Sequence, residues 1–129
     1  MKTKSALTLL FMSLFSFSIL ANEPEDPVKL PGQMSKEVKA VVENKCYGCH
    51  NTDSKNDKAK EDLDFKTFDQ LSKIKQISAY KKIGEVVEEN EMPPKKFLDH
   101  YPDKKLTEAE RKAVMAWAKK EAESLVKGM

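Results

Sequence analysis

Residues 46–50 read Cys-Tyr-Gly-Cys-His, and no other cysteine occurs among the 129 residues. A Cys-x-x-Cys-His run is the attachment signature of a c-type haem. The spacing has a chemical reason. Two thiols three positions apart fall on one helical turn, where both reach the vinyl edges of one porphyrin. The imidazole that follows them sits beneath the iron as its proximal ligand. These residues assign Cys46 and Cys49 to covalent attachment of one haem c and His50 to the iron. A chain that must close around a flat group of that size is constrained more by this motif than by anything else in it.

Other uses of the pair fit less well. A Cys-x-x-Cys oxidoreductase lies beside a βαβ pattern, and the sequence offers no strand pattern. A zinc site from Cys46, Cys49, His50 and His100 is the remaining metal alternative, but a ligand directly after Cys49 is awkward for one tetrahedron.

The first residues have the form of an export signal. Lys2 and Lys4 precede an apolar or small run from Ala6 to Leu20, and Ala21 offers a cleavage point, with Ile19 an imperfect fit upstream of it. The run is shorter than the roughly 20 residues of a membrane span, which makes an uncleaved anchor the lesser reading. Cleavage after Ala21 removes 21 of the 129 residues and leaves 108, the size of one small domain. It also takes Lys2 and Lys4 from the 23 cationic residues, leaving 21 against 21 acidic ones. A balanced chain of this kind lacks the concentrated basic face that nucleic acid requires. The expected organisation is a signal peptide at 1–21, an irregular leader at 22–34 and a haem domain at 35–129, working in the periplasm.

The rest of the chain predicts an all-α fold. Ser35 caps a helix whose stripe is Met34, Val38, Val41, Val42 and Cys46, so that its last turns present the thiols. Asn51 to Asp62 reads as a charged, solvated loop. Leu63, Phe65 and Phe68 offer apolar contacts, and Lys66 to Lys75 reads as one or two short helical turns. Ser78 is a candidate cap for a helix carrying Ala79, Ile83, Val86 and Val87, with Gly84 placed to permit a close approach. Met92-Pro93-Pro94 must end that helix. Thr107 and Glu110 form a capping box for a final helix that buries Val114, Trp117, Ala118 and Leu125 and stops at Gly128.

Met92 is the candidate distal iron ligand. A His/Met pair gives a low-spin electron-transfer centre, and a methionine in that role needs stiff backbone, which Pro93 and Pro94 provide. His100 is the competitor, set in a polar stretch, Asp99-His100-Tyr101-Pro102, where solvation or a bond to a haem propionate are its other uses. Met34 and Met115 read as core residues and Tyr47 as a side chain with no chemical role. Trp117 reads as core packed near the haem edge, and Lys45, Lys95 and Lys96 as either cations around that edge, which would steer an acidic redox partner, or ordinary solvated surface.

Taken together, Cys46-Tyr47-Gly48-Cys49-His50, Leu63-Asp64-Phe65, Met92-Pro93-Pro94, His100 and Leu106-Thr107-x-x-Glu110…Trp117 resemble the small bacterial haem-binding domain family of c-type cytochromes, over about Ser35 to Ala118. The resemblance implies a monohaem, cytochrome c-like helical bundle with His50 and Met92 as axial ligands. The chain departs from that pattern where Tyr101 separates His100 from Pro102. It also has no proline between His50 and Pro93, which leaves the acceptor for the proximal imidazole N–H unassigned.

The function expected from these residues is one-electron transfer in the periplasm, by a carrier that is not an enzyme, with redox partner proteins and no nucleic acid. A gas or redox sensor, a peroxidase-like enzyme with a displaceable sixth ligand, and a haem subunit of a larger respiratory complex are the alternatives. No distal Arg/His pair supports peroxidase chemistry. With the porphyrin forming much of the core, the chain without haem is expected to be largely unfolded.

Overall fold

The computed structural model describes residues 28–129. The expected signal peptide and the start of the expected leader lie outside the described residues, as does the question of a membrane anchor there. Among the described residues the regular structure is entirely helical, and no helix is long and apolar enough to cross a membrane.

The three long helices grow from sequence signals that are easy to read. Helix α1 (Lys36–Lys45) is capped by Ser35, whose Oγ accepts the Val38 N–H at 3.2 Å. It buries Val38, Val41 and Val42. The haem motif follows just beyond it, in successive turns, where Cys46 donates to the Val42 carbonyl and His50 N–H to the Cys46 carbonyl. The thiols thus come from the chain leaving α1 rather than from its last turns.

The last helix, α5 (Glu108–Lys127), opens with the expected box. Thr107 Oγ1 accepts the Glu110 N–H at 3.2 Å, and Glu110 Oε2 accepts the Thr107 N–H at 2.8 Å. Val114, Trp117, Ala118 and Ala122 form its buried face.

Helix α3 (Lys73–Glu88) begins one and a half turns earlier than Ser78 suggests. Ser72 is the cap, accepting the Lys75 N–H, and Ser78 lies on the exposed face. Nothing between Lys73 and Ile77 breaks a helix, so the turns expected over 66–75 divide. A single 3₁₀ turn forms at Phe68–Gln70, and the later residues join α3. The helix also ends before the prolines, because Asn90 at φ 58° turns the chain out of it. Arg111 of α5 holds this end, donating from Nε and Nη2 to the Val87 and Glu88 carbonyls.

Two short helices complete the set. Helix α2 (Asp57–Asp62) forms inside the stretch expected to be a loop, and α4 (Lys95–His100) forms after Pro94, followed by a 3₁₀ turn at Pro102–Lys104. Neither buries a residue, so neither leaves an apolar stripe in the sequence.

Packing centres on α3 against α5, with α1 crossing onto α5. Tyr80 links the layers: its ring meets Phe68 at a tilt of 55° with centroids 4.8 Å apart, and Trp117 edge-on at 5.3 Å. Such contacts favour aromatic pairs beyond the area they bury. The segment before α1 docks on the same face. Pro31 is fully buried, Leu30 and Met34 pack against the core, and Gln33 N–H donates to Glu121 Oε1 at 3.2 Å.

Two glycines give opposite expectations. Gly32 sits at φ +69°, and a Cβ there would lie 2.7 Å from the Tyr80 hydroxyl and from Glu121 Oε2. A Cβ on Gly84 meets nothing within 4 Å, so no close approach within the protein requires that glycine. Gly32→Ala should therefore lower stability by about 1–3 kcal/mol, through strain at a left-handed position. Gly84→Ala should raise it by roughly 1 kcal/mol, the helix propensity difference. Denaturant unfolding of the haem-loaded variants measures both.

Candidate functional site

The motif, the turn after α3 and the inner faces of α1, α3 and α5 enclose one cavity of about 470 Å³. That volume lies in the range of cofactor sites, roughly 300–1,000 Å³. Cys46, Cys49 and His50 line it, and so do Met92, Pro93 and Pro94. Val42 of α1, Ile83, Val86 and Val87 of α3, Val114 and Trp117 of α5, and Leu106 before it make the surface mainly apolar, while Asn56, Lys58, Ala59, Asp62 and Leu63 in and around α2 line a further part of it. His100 is exposed at the end of α4 and takes no part in the lining.

His50 is held more firmly than a lone imidazole on a loop would be. Its Nδ1 lies 2.8 Å from the Ala59 carbonyl and 3.1 Å from the Leu63 carbonyl. Both partners are acceptors only, so Nδ1 must carry the proton and Nε2 presents a free lone pair. A ring nitrogen in that state is what a metal takes, and the donated bond raises its basicity. The backbone supports the ring as well, since Phe65 N–H donates to the His50 carbonyl at 3.1 Å. Where proline is absent, the chain thus uses the carbonyls of Ala59, within α2, and of Leu63, directly after it. Nothing in the side chains of Ala59 or Leu63 could have announced this.

The loop that carries α2 back to His50 is tied internally. Asn51, buried, donates from Nδ2 to the Tyr47 carbonyl at 2.6 Å and accepts the Asp53 N–H at 2.9 Å. Thr52 donates to Asp64 at 2.6 Å, and Lys66 pairs with Asp53. Tyr47 does have a packing role, lying nearly parallel to Phe65 with 6.5 Å between centroids.

Met92 is fixed from its backbone. Glu91 and Met92 both donate to the Val86 carbonyl, at 2.8 and 3.3 Å. Pro93 is buried behind Met92, and Pro94 caps α4. Met34 and Met115 instead pack against the core, away from the cavity lining.

The thiols differ in environment from ordinary cysteines. Desolvation, reinforced by neighbouring Cys49, pushes the Cys46 thiol up to about 11. Cys46 is therefore a neutral thiol at physiological pH, inert as a thiolate nucleophile. Both cysteines are unpaired. Among the described residues, no group of three or more His, Cys, Asp or Glu could hold a metal ion, which removes the support for a zinc site shared with His100.

The residues fit a haem on a further count. Trp117 Nε1 is buried in the structure with no hydrogen-bond partner, in a side chain that lines the cavity. A buried donor without an acceptor is costly, and a porphyrin carboxylate is an acceptor of the kind it lacks. Flat apolar walls, two thiols, an imidazole with its free nitrogen available and a thioether complete the donor set.

The model of the haem-binding domain family matches residues 53–120. The chain belongs to that family. The match runs from the loop before α2 into α5 and begins just beyond His50, so the family is established independently of the attachment motif. No curated protein and no solved structure matches the chain. Membership supports a haem cofactor, and the fold is all-α.

Lys45 lines the cavity, but its charge is engaged within the protein. Its ammonium donates to Glu110 Oε2 at 2.6 Å and to the Lys105 carbonyl at 2.9 Å. Burial opposes ionisation of Glu110, but the Lys45 bond and the Thr107 N–H outweigh it and hold the carboxyl below its ordinary value. A depressed carboxyl stabilises the fold above its unfolded pKa, and that contribution disappears as pH falls through the folded one. Glu110→Gln keeps an acceptor for the helix cap while losing the charge. The melting temperature of the unaltered protein should thus fall more steeply below pH 4.5 than that of Glu110→Gln, in parallel thermal melts.

Proposed function

We propose that the protein is an exported, periplasmic monohaem cytochrome c that carries single electrons between redox partner proteins. Cys46 and Cys49 attach the haem covalently, and His50 and Met92 are its axial ligands. What carries this reading is that His50, its proton committed to Nδ1, and Met92, anchored by its backbone, line one apolar cavity beside both thiols. The chemistry supplied by the bound group is a one-electron couple of its iron, which a thioether ligand shifts to higher potential.

The chain's own part is to hold, orient and shield. The Ala59 and Leu63 carbonyls keep the His50 ring in one tautomer and one orientation. The Val86 carbonyl and the buried Pro93 keep Met92 from swinging out of the cavity. Val42, Ile83, Val87 and Val114 exclude water, which lowers the local dielectric around the site. Export rests on the Lys2, Lys4 and Ala6–Leu20 pattern.

The test is the visible spectrum of ferric and ferrous protein, followed by CO addition to the reduced form. A low-spin spectrum with the weak red band of methionine-bound ferric haem, insensitive to CO, is expected. Met92→Ala should abolish that band, admit CO and lower the potential, whereas His100→Ala should leave all three unchanged. A high-spin spectrum or ready CO binding in the unaltered protein would overturn the carrier reading and favour sensing or catalysis.

A further inference from the structure

Helix α2 has little reason to exist on its own account. It spans six residues, buries none of them, and its ion pairs, Lys58–Asp62 and Lys60–Asp57, are exposed. Isolated helices of that length are unstable in water, and surface pairs of this kind add little. Yet the two carbonyls that receive the His50 proton are those of Ala59, in its middle, and Leu63, the residue that follows it.

The side chain that starts this helix is Asn56. Its Oδ1 accepts the Ala59 N–H at 3.1 Å, while its own N–H donates to Ser54 Oγ at 3.0 Å. Ala59 is thus gripped on both sides of its residue. Asn56 holds its N–H, and its carbonyl oxygen accepts the Leu63 N–H at 2.9 Å as well as the His50 Nδ1–H at 2.8 Å. One turn of helix joins the amide of Asn56 to the imidazole.

We propose that Asn56 is a positioning residue for the iron centre: by capping α2 it keeps the Ala59 and Leu63 carbonyls on His50 Nδ1–H, and thereby lowers the reduction potential. The inference rests on His50 being an iron ligand. Its physical content is the direction of the effect. A carbonyl that accepts the imidazole proton makes the ring a stronger donor to the metal. A stronger donor favours the more highly charged ferric state, which moves the potential down. Two acceptors, the Ala59 and Leu63 carbonyls, hold the imidazole proton more firmly than one would. Losing the cap loosens both at once.

The experiment compares Asn56→Ala with Asn56→Ser, a residue that also caps helices and adds no charge near the site. Each is made as the haem-loaded full chain. Redox titration gives the potential, and NMR of the diamagnetic ferrous protein gives the exchange rate of the His50 Nδ1 proton. Asn56→Ala should retain the His/Met spectrum, show a higher potential, and exchange that proton roughly fivefold faster, the factor expected from a lost cap of ordinary strength. Asn56→Ser should restore both quantities towards the original. A merely structural role would change unfolding and leave the potential alone. An unchanged potential and exchange rate in Asn56→Ala, under an intact His/Met spectrum, overturns this inference while leaving the carrier reading standing. A spectrum of the unaltered protein without His/Met character overturns both. Should Asn56→Ala fail to load haem, the unaltered protein and Asn56→Ser decide. A slowly exchanging Nδ1 proton in both supports the proposal, and rapid exchange in the unaltered protein overturns it.

Discussion

A single hydrogen donated from His50 Nδ1 to the carbonyls of Ala59 and Leu63, in and just after α2, organises this small protein. It fixes which nitrogen is free, and it fixes where the ring stands. It also requires the chain to turn back on itself directly after the motif. The loop of Asn51 to Phe65 does this with paired side chains and one short helix, ending with Phe65 N–H on the His50 carbonyl. Loosen that bond, and the turns of the motif would remain while the imidazole lost the contact that sets its orientation.

The second constraint is the hollow in the core. Val42, Ile83, Val87, Val114 and Trp117 are buried or nearly so, yet they face a space of about 470 Å³ that tight packing of their own side chains would ordinarily fill. The bundle is therefore built to share its core with a flat apolar group. The one buried side-chain donor left without a partner among the described residues, Trp117 Nε1, belongs to a side chain on the same lining. The family to which the chain belongs supplies the group, and the motif supplies the manner of holding it that we propose.

The sequence made some of this legible and hid the rest for definite reasons. Helices α1 and α5 could be read because each joins a strong cap, Ser35 or the Thr107–Glu110 box, to an apolar stripe. The site motif and Met92-Pro93-Pro94 were visible because their chemistry needs particular side chains. Helices α2 and α4 were invisible because they bury nothing, and periodicity reports burial. Ser78 misled because a serine inside a helix looks like a serine before one; only the structure distinguishes it from Ser72. The acceptors of His50 could not be read at all, since a backbone carbonyl has no letter in the sequence. Arg111, which closes the end of α3, looked like any other charge on an exposed face.

The Lys45–Glu110 contact joins residues 65 positions apart, and it stands immediately beside Cys46. The walls of the cavity are similarly drawn from both ends of the described chain, from Val42 to Trp117. No stretch that stops short of α5 can enclose the site. A chain emerging from its first residue onward would present the two thiols and the imidazole on an open platform, and that platform would gain its lid only with the last helix. The order of residues along the polypeptide thus becomes an order of events, with the motif accessible first and sealed last.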